Sequence, residues 1–81
     1  MRSVRTERAA EQQRVVDDAI RAYVDWREEC ETVQVAYHRW ANGLAEDAAG
    51  ARCGYHAALD REEAAAEGYA RCVRSIGSAA A

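Results

Sequence analysis

Between Val16 and Leu44 an apolar or aromatic residue returns at every third or fourth position, and this rhythm constrains the chain more than any other feature of its sequence. With Val16, Tyr23, Cys30, Tyr37 and Leu44 written as position a of a heptad, Ala19, Trp26, Val33 and Trp40 fall at position d. The intervening positions carry mostly charge, including Asp17, Asp18, Arg21, Asp25, Arg27, Glu28 and Glu31. A stripe with a period of about 3.5 residues stays on one side of an α-helix, and it serves to pack that helix lengthwise against another. The sequence therefore predicts one long helix from about Ser3 to Ala41.

Composition points the same way. The 81 residues include no proline and no phenylalanine, and the 49% hydrophobic content leans on alanine. Alanine loses no side-chain entropy in a helix, and nothing here interrupts the hydrogen-bond ladder as proline does. A chain of this length supports one small domain, residues 1–81.

Asn42-Gly43 interrupts the pattern. Both residues tolerate the left-handed conformation that ends many helices, so the pair predicts a turn at about residues 42–44. Glu46 and Asp47 follow, acidic residues that complement the N-terminal dipole of a second helix. That helix is expected from about Ala45 to Ile76, with Gly77 to Ala81 fraying. In its best frame Ala48, Tyr55, Glu62, Tyr69 and Ile76 take position a, and Ala51, Ala58, Ala65 and Cys72 take position d. Leu59, Ala66 and Val73 widen the stripe at e. All six aromatic residues then lie at a or d. Gly50, Gly54 and Gly68 each weaken such a helix by about 1 kcal/mol relative to alanine. A rival reading makes Gly50 to Gly54 the loop.

The fold class predicted is all-α: an antiparallel two-helix hairpin that dimerises into a four-helix bundle. A short turn makes consecutive helices antiparallel neighbours. Residues whose numbers sum to roughly 86 should then face each other. Trp40 and Tyr37 would meet Ala45 to Ala51, Trp26 and Tyr23 would meet Ala58 to Ala65, and Val16 would meet Tyr69 and Cys72. Large side chains on the first helix would thus pack on small ones of the second. Two helices cannot cover both stripes completely, so the remainder calls for a partner, either a second copy or a related helical hairpin. The residues assigned to partner binding are Val16, Tyr23, Trp26, Val33, Tyr37, Trp40, Leu59, Tyr69 and Val73.

Little in the sequence suggests chemistry. His38 and His56 are the only histidines, and no catalytic triad, phosphate-binding glycine loop or HExxH occurs. Neighbouring carboxylates such as Glu28-Glu29 and Glu62-Glu63 diverge around a helix. Glu62, at an a position, is expected to reach solvent or to pair with an arginine across the interface. The chain is accordingly read as non-enzymatic, with no cofactor. Cys53 and His56 are three apart, a usable ligand spacing, and Cys30 lies near their level, so a Cys/His metal or cofactor site is the alternative function. The preferred reading has no metal, with Cys30 and Cys72 in the core and Cys53 at the surface as free thiols.

A formal net charge of −3 disfavours nucleic acid as a partner. Arg2, Arg5, Arg8, Arg14, Arg71 and Arg74 gather at one end, but Glu7, Glu11 and Glu67 are interleaved with them and suit ion pairing. No run approaches the roughly 20 apolar residues of a membrane span. Met1 to Arg14 lacks the apolar stretch of a signal peptide. A cytoplasmic location is expected, with export by a route that needs no cleaved signal as the alternative. All 11 basic residues are arginine, the usage of a high-GC, actinobacterial-type genome.

With Trp40-Ala41-Asn42-Gly43 at the turn and Tyr55 and Tyr69 along the second helix, the chain resembles the WXG (Trp-x-Gly) family of small type VII secretion substrates. The resemblance spans most of the chain. It implies a helical hairpin that pairs with itself or with a related hairpin as a four-helix bundle, and a secretion-associated role.

Overall fold

The computed structural model describes residues 3–80, without the side chains of residues 79 and 80. Arg2 of the arginine cluster and Ala81 of the expected frayed end lie outside the described residues. The fold is all-α: α1 spans Val4–Asn42, a single 3-10 turn spans Ala45–Asp47, and α2 spans Ala48–Ala80. No strand occurs among the described residues.

The start of α1 is fixed by its cap. Ser3 is extended, and its Oγ accepts the Thr6 backbone N–H at 3.2 Å. One otherwise unpaired donor of the first turn is thereby satisfied, and Glu7 adds an acidic group where the dipole favours one. The far end closes differently from the sequence expectation. Gly43 is extended, at φ −81° and ψ 171°, and no described residue has positive φ. The left-handed cap is replaced by the Asn42 side chain, whose Nδ2 donates to the His38 carbonyl at 3.1 Å. Glycine is still required at position 43, for a steric reason: a Cβ there would lie 2.5 Å from the Arg39 carbonyl oxygen.

Leu44 remains extended, and the Asp47 N–H closes the short turn on its carbonyl at 3.0 Å. Glu46 and Asp47 sit in this turn, just ahead of α2. The connection therefore runs from Gly43 to Asp47. Gly50 and Gly54 lie inside α2, which removes the reading that made them a loop, and α2 continues through Gly77 to Ala80.

At about 1.5 Å per residue, α1 and α2 are on the order of 58 and 50 Å long. The molecule measures 66 × 18 × 14 Å, the dimensions of two long helices lying side by side. Their contacts run in opposite order along the chain. Trp40 and Tyr37 meet Tyr55, Trp26 meets Glu62 and Tyr69, and Tyr23 meets Tyr69. Glu62 lies within the stretch expected opposite Trp26, whereas Tyr55 and Tyr69 lie about one turn beyond the stretches expected opposite Trp40 and Trp26. The longer connection accounts for the shift, because α2 proper begins only at Ala48. The tyrosines of α2 stand against the aromatic residues of α1, and Ala58, at 0% exposure, is buried as well.

Candidate functional site

Three successive layers of side chains join the helices, and the heptad pattern spaces them evenly. In the first, Tyr23, Trp26 and Tyr69 form a mutual cluster. Trp26 and Tyr69 stack with centroids 5.7 Å apart at 10°, and Tyr23 meets both edge-on at 6.0 and 5.5 Å. In the third, Tyr55 stacks on Trp40 at 5.4 Å and meets Tyr37 edge-on at 5.7 Å. Such ring pairs contribute about 0.5–1.5 kcal/mol beyond their area burial. Between the two clusters, Cys30 on α1 and Glu62 on α2 share the middle layer.

Glu62 does not pair with an arginine. Its Oε1 accepts the Trp26 indole N–H at 2.7 Å, and Cys30 Sγ lies 4.0 Å from the same oxygen. The interhelical arginine contact falls on the flank instead, where Arg61 Nε lies 3.5 Å from Glu29 Oε2. Trp26 supplies the donor because a large indole at d reaches further into the interface than a flanking arginine must, and its N–H requires a partner when partly buried.

These layers leave most apolar surface open. Ala19 and Ala58 are the only buried residues among those described. Of the side chains assigned to partner binding, Trp26, Val33, Leu59 and Tyr69 are half-buried, whereas Val16, Tyr23, Tyr37, Trp40 and Val73 are exposed. Trp26 and Tyr69 are engaged mainly within the chain. Other exposed apolar residues, outside the surface expected from the sequence, include Ile20 at 58%, Val24 at 47% and Val35 at 59%. Ile20 carried a detectable signal, since it occupies the e position of its helix just as Leu59 and Val73 do on theirs. Val24 and Val35 fall outside the stripe and carried none.

Among the grooves between the helices, two lie on opposite sides. One, of about 360 Å³, is lined by Val16, Ile20, Tyr23, Tyr69, Val73 and Ile76, together with Ala19, and holds no charged residue. The other, of about 770 Å³, lies toward the connection; Thr32, Val35, Gly50 and Gly54 line it together with Arg39, Arg61, Glu46 and Asp47.

The alternative ligand set does not assemble. Cys53 is exposed, and Cys30 is half-buried against Glu62. Among the described residues no three His, Cys, Asp or Glu side chains are grouped to hold a metal ion. His38 and His56 lie beside Tyr37 and Tyr55, with ring centroids at 5.8 and 5.9 Å. Cys72 is half-buried like Cys30, so neither reaches the full burial the sequence reading gave it. In the arginine-rich end, Arg14 pairs with Glu11 at 3.1 Å. No described helix is long and apolar enough to cross a membrane.

No protein-family model, curated protein or solved structure matches the chain.

Proposed function

We propose that the protein is a non-enzymatic helical module that works by helix-to-helix association, pairing as a hairpin with a second hairpin, its own copy or a related chain, to close a four-helix bundle. One observation carries this reading: among the described residues ten large apolar side chains are exposed while only two alanines are buried. A domain held together by a core shows the reverse distribution, and an uncovered apolar face of this extent marks an interaction surface. The resemblance to the Trp-x-Gly family extends the reading to a secretion-associated role. Trp40 and Tyr55, two of the residues that carry the resemblance, belong to the aromatic layer nearest the connection.

The test is the concentration dependence of folding, because an associating chain is stabilised by mass action. Thermal melts followed by circular dichroism should shift to higher midpoint as protein concentration rises, or on addition of the cognate related chain. A sharp melt whose midpoint is the same at every concentration, from a species of 9.0 kDa by light scattering, would overturn the proposal.

A further inference from the structure

We infer that the partner is a second copy of this chain, seated on the charge-free groove beside Ile20, Tyr23 and Val73, and that the opposite groove faces away from it. This rests on the association reading above and adds the occupant and the face.

Surface area sets the size of the occupant. The chain exposes 6306 Å², whereas a globular protein of its mass exposes about 4,900 Å². The excess, about 1,400 Å², reflects how far the single chain is from a compact body. Two separate copies expose about 12,600 Å², and one globule of their joint mass exposes about 8,000 Å². Docking two copies into a compact body thus removes about 4,600 Å², within the 2,000–5,000 Å² range of obligate homodimers. One further copy suffices, and no larger partner is needed to account for the open surface.

Shape and charge identify the face. A twofold interface must be complementary to itself. On the Ile20 side, α1 presents a ridge, with Ile20 and Val24 standing 58% and 47% exposed. On α2, Ala66, Ala70 and Val73 follow Leu59 at helical spacing along the same side, and the small side chains of the two alanines leave room for a trough. A twofold rotation lays the ridge of each copy along the trough of the other. The core of a stable interface is depleted of charge. The Ile20 groove meets that condition, and the opposite groove, with two arginines and two acidic residues in its wall, does not.

Light scattering on the full chain and on Ile20→Asp, Val73→Asp and Val35→Asp tests the inference. The wild type should have twice the mass of the 9.0 kDa chain. Ile20→Asp and Val73→Asp should each weaken dimerisation by at least tenfold, whether the released chain stays helical or unfolds. Val35→Asp, on the opposite face, should leave the dimer intact. Ile20 is exposed within the single chain, so its replacement disturbs little except a partner. Loss of the dimer in Val35→Asp but not in Ile20→Asp would overturn the chosen face and leave association standing. A wild type that never dimerises would overturn the inference. In that event a concentration-independent melt would bring down the association reading as well, whereas stabilisation by a related chain would preserve it.

Discussion

Tyr23, Trp26 and Tyr69 at one level of the molecule, and Tyr37, Trp40 and Tyr55 at another, are the same three residue types at the same spacing, two heptads apart on each helix. A glycine even precedes the α2 tyrosine in both, Gly68 in one and Gly54 in the other. Yet the two layers are not equivalent. In the first, all three rings touch and the indole N–H is tied to Glu62 at 2.7 Å. In the second, Trp40 lies in the last turn of α1, stacks on Tyr55 at 27° and remains 37% exposed. The heptad determines which residues share a layer. What lies above and below the layer determines how firmly it is held. Trp26 has the middle layer, with its carboxylate, beside it, whereas α1 ends at Asn42, just past Trp40, and the chain turns into the connection.

The largest expected effect follows from this inequality. Trp26→Ala should destabilise the helix pair by about 3–4 kcal/mol, through lost ring contacts, a cavity and an abandoned carboxylate. Trp40→Ala should cost about 1–2 kcal/mol, since part of that ring already meets solvent. Denaturant unfolding at one fixed protein concentration measures both. Equal losses would mean that the layers are equivalent after all, and that the indole–carboxylate bond contributes little.

Glu62 sharpens the comparison from the other side. Glu62→Ala leaves the Trp26 N–H without its acceptor and should cost about 1–2 kcal/mol. Glu62→Gln retains an acceptor oxygen and should cost less than half of that. A loss as large in the glutamine variant as in the alanine variant would show that charge, not the hydrogen bond, matters at this position. The indole fluorescence of Trp26, separated from that of Trp40 in a Trp40→Tyr background, reports whether the bond has been lost.

Much of this arrangement was legible in the sequence, and the parts that were not have specific physical causes. The period of the apolar stripe assigned two helices, and Ser3 marked where the first begins. All six aromatic side chains were placed on the stripe, and in the structure all of them pack in the interhelical layers. Vertical register was less accessible. It depends on how many residues the connection absorbs, and the 3-10 turn at Ala45–Asp47 has no signature that distinguishes it from the first turn of a helix. Charge and amphipathicity point Glu62 to an arginine or to solvent, while an indole N–H at the neighbouring d position is an equally good donor. Ile20 occupies the e position on α1, as Leu59 and Val73 do on α2. Large aromatic residues at a and d drew the stripe too narrowly there.

The glycines offer the smallest and most discriminating test. A Cβ at Gly54 would meet nothing within 4 Å, and one at Gly68 would touch only the Arg71 guanidinium, at 3.8 Å. Neither glycine is required by packing within the chain, so alanine at either position should stabilise α2 by about 0.5–1 kcal/mol through helix propensity alone. Gly43→Ala serves as the opposite control, because its Cβ would run into the Arg39 carbonyl oxygen and the variant must lose stability. Gly54 lines the charged groove near the connection, and Gly68 lines neither that groove nor the one beside Ile20. With the second copy on the Ile20 side, Gly54→Ala and Gly68→Ala should raise the melting midpoint alike and leave the dimer unchanged. If Gly54→Ala instead weakened association while Gly68→Ala did not, the open space at Gly54 would be the seat of the partner. The layer around Tyr55, held less firmly within the chain, would then be the one completed by the second molecule.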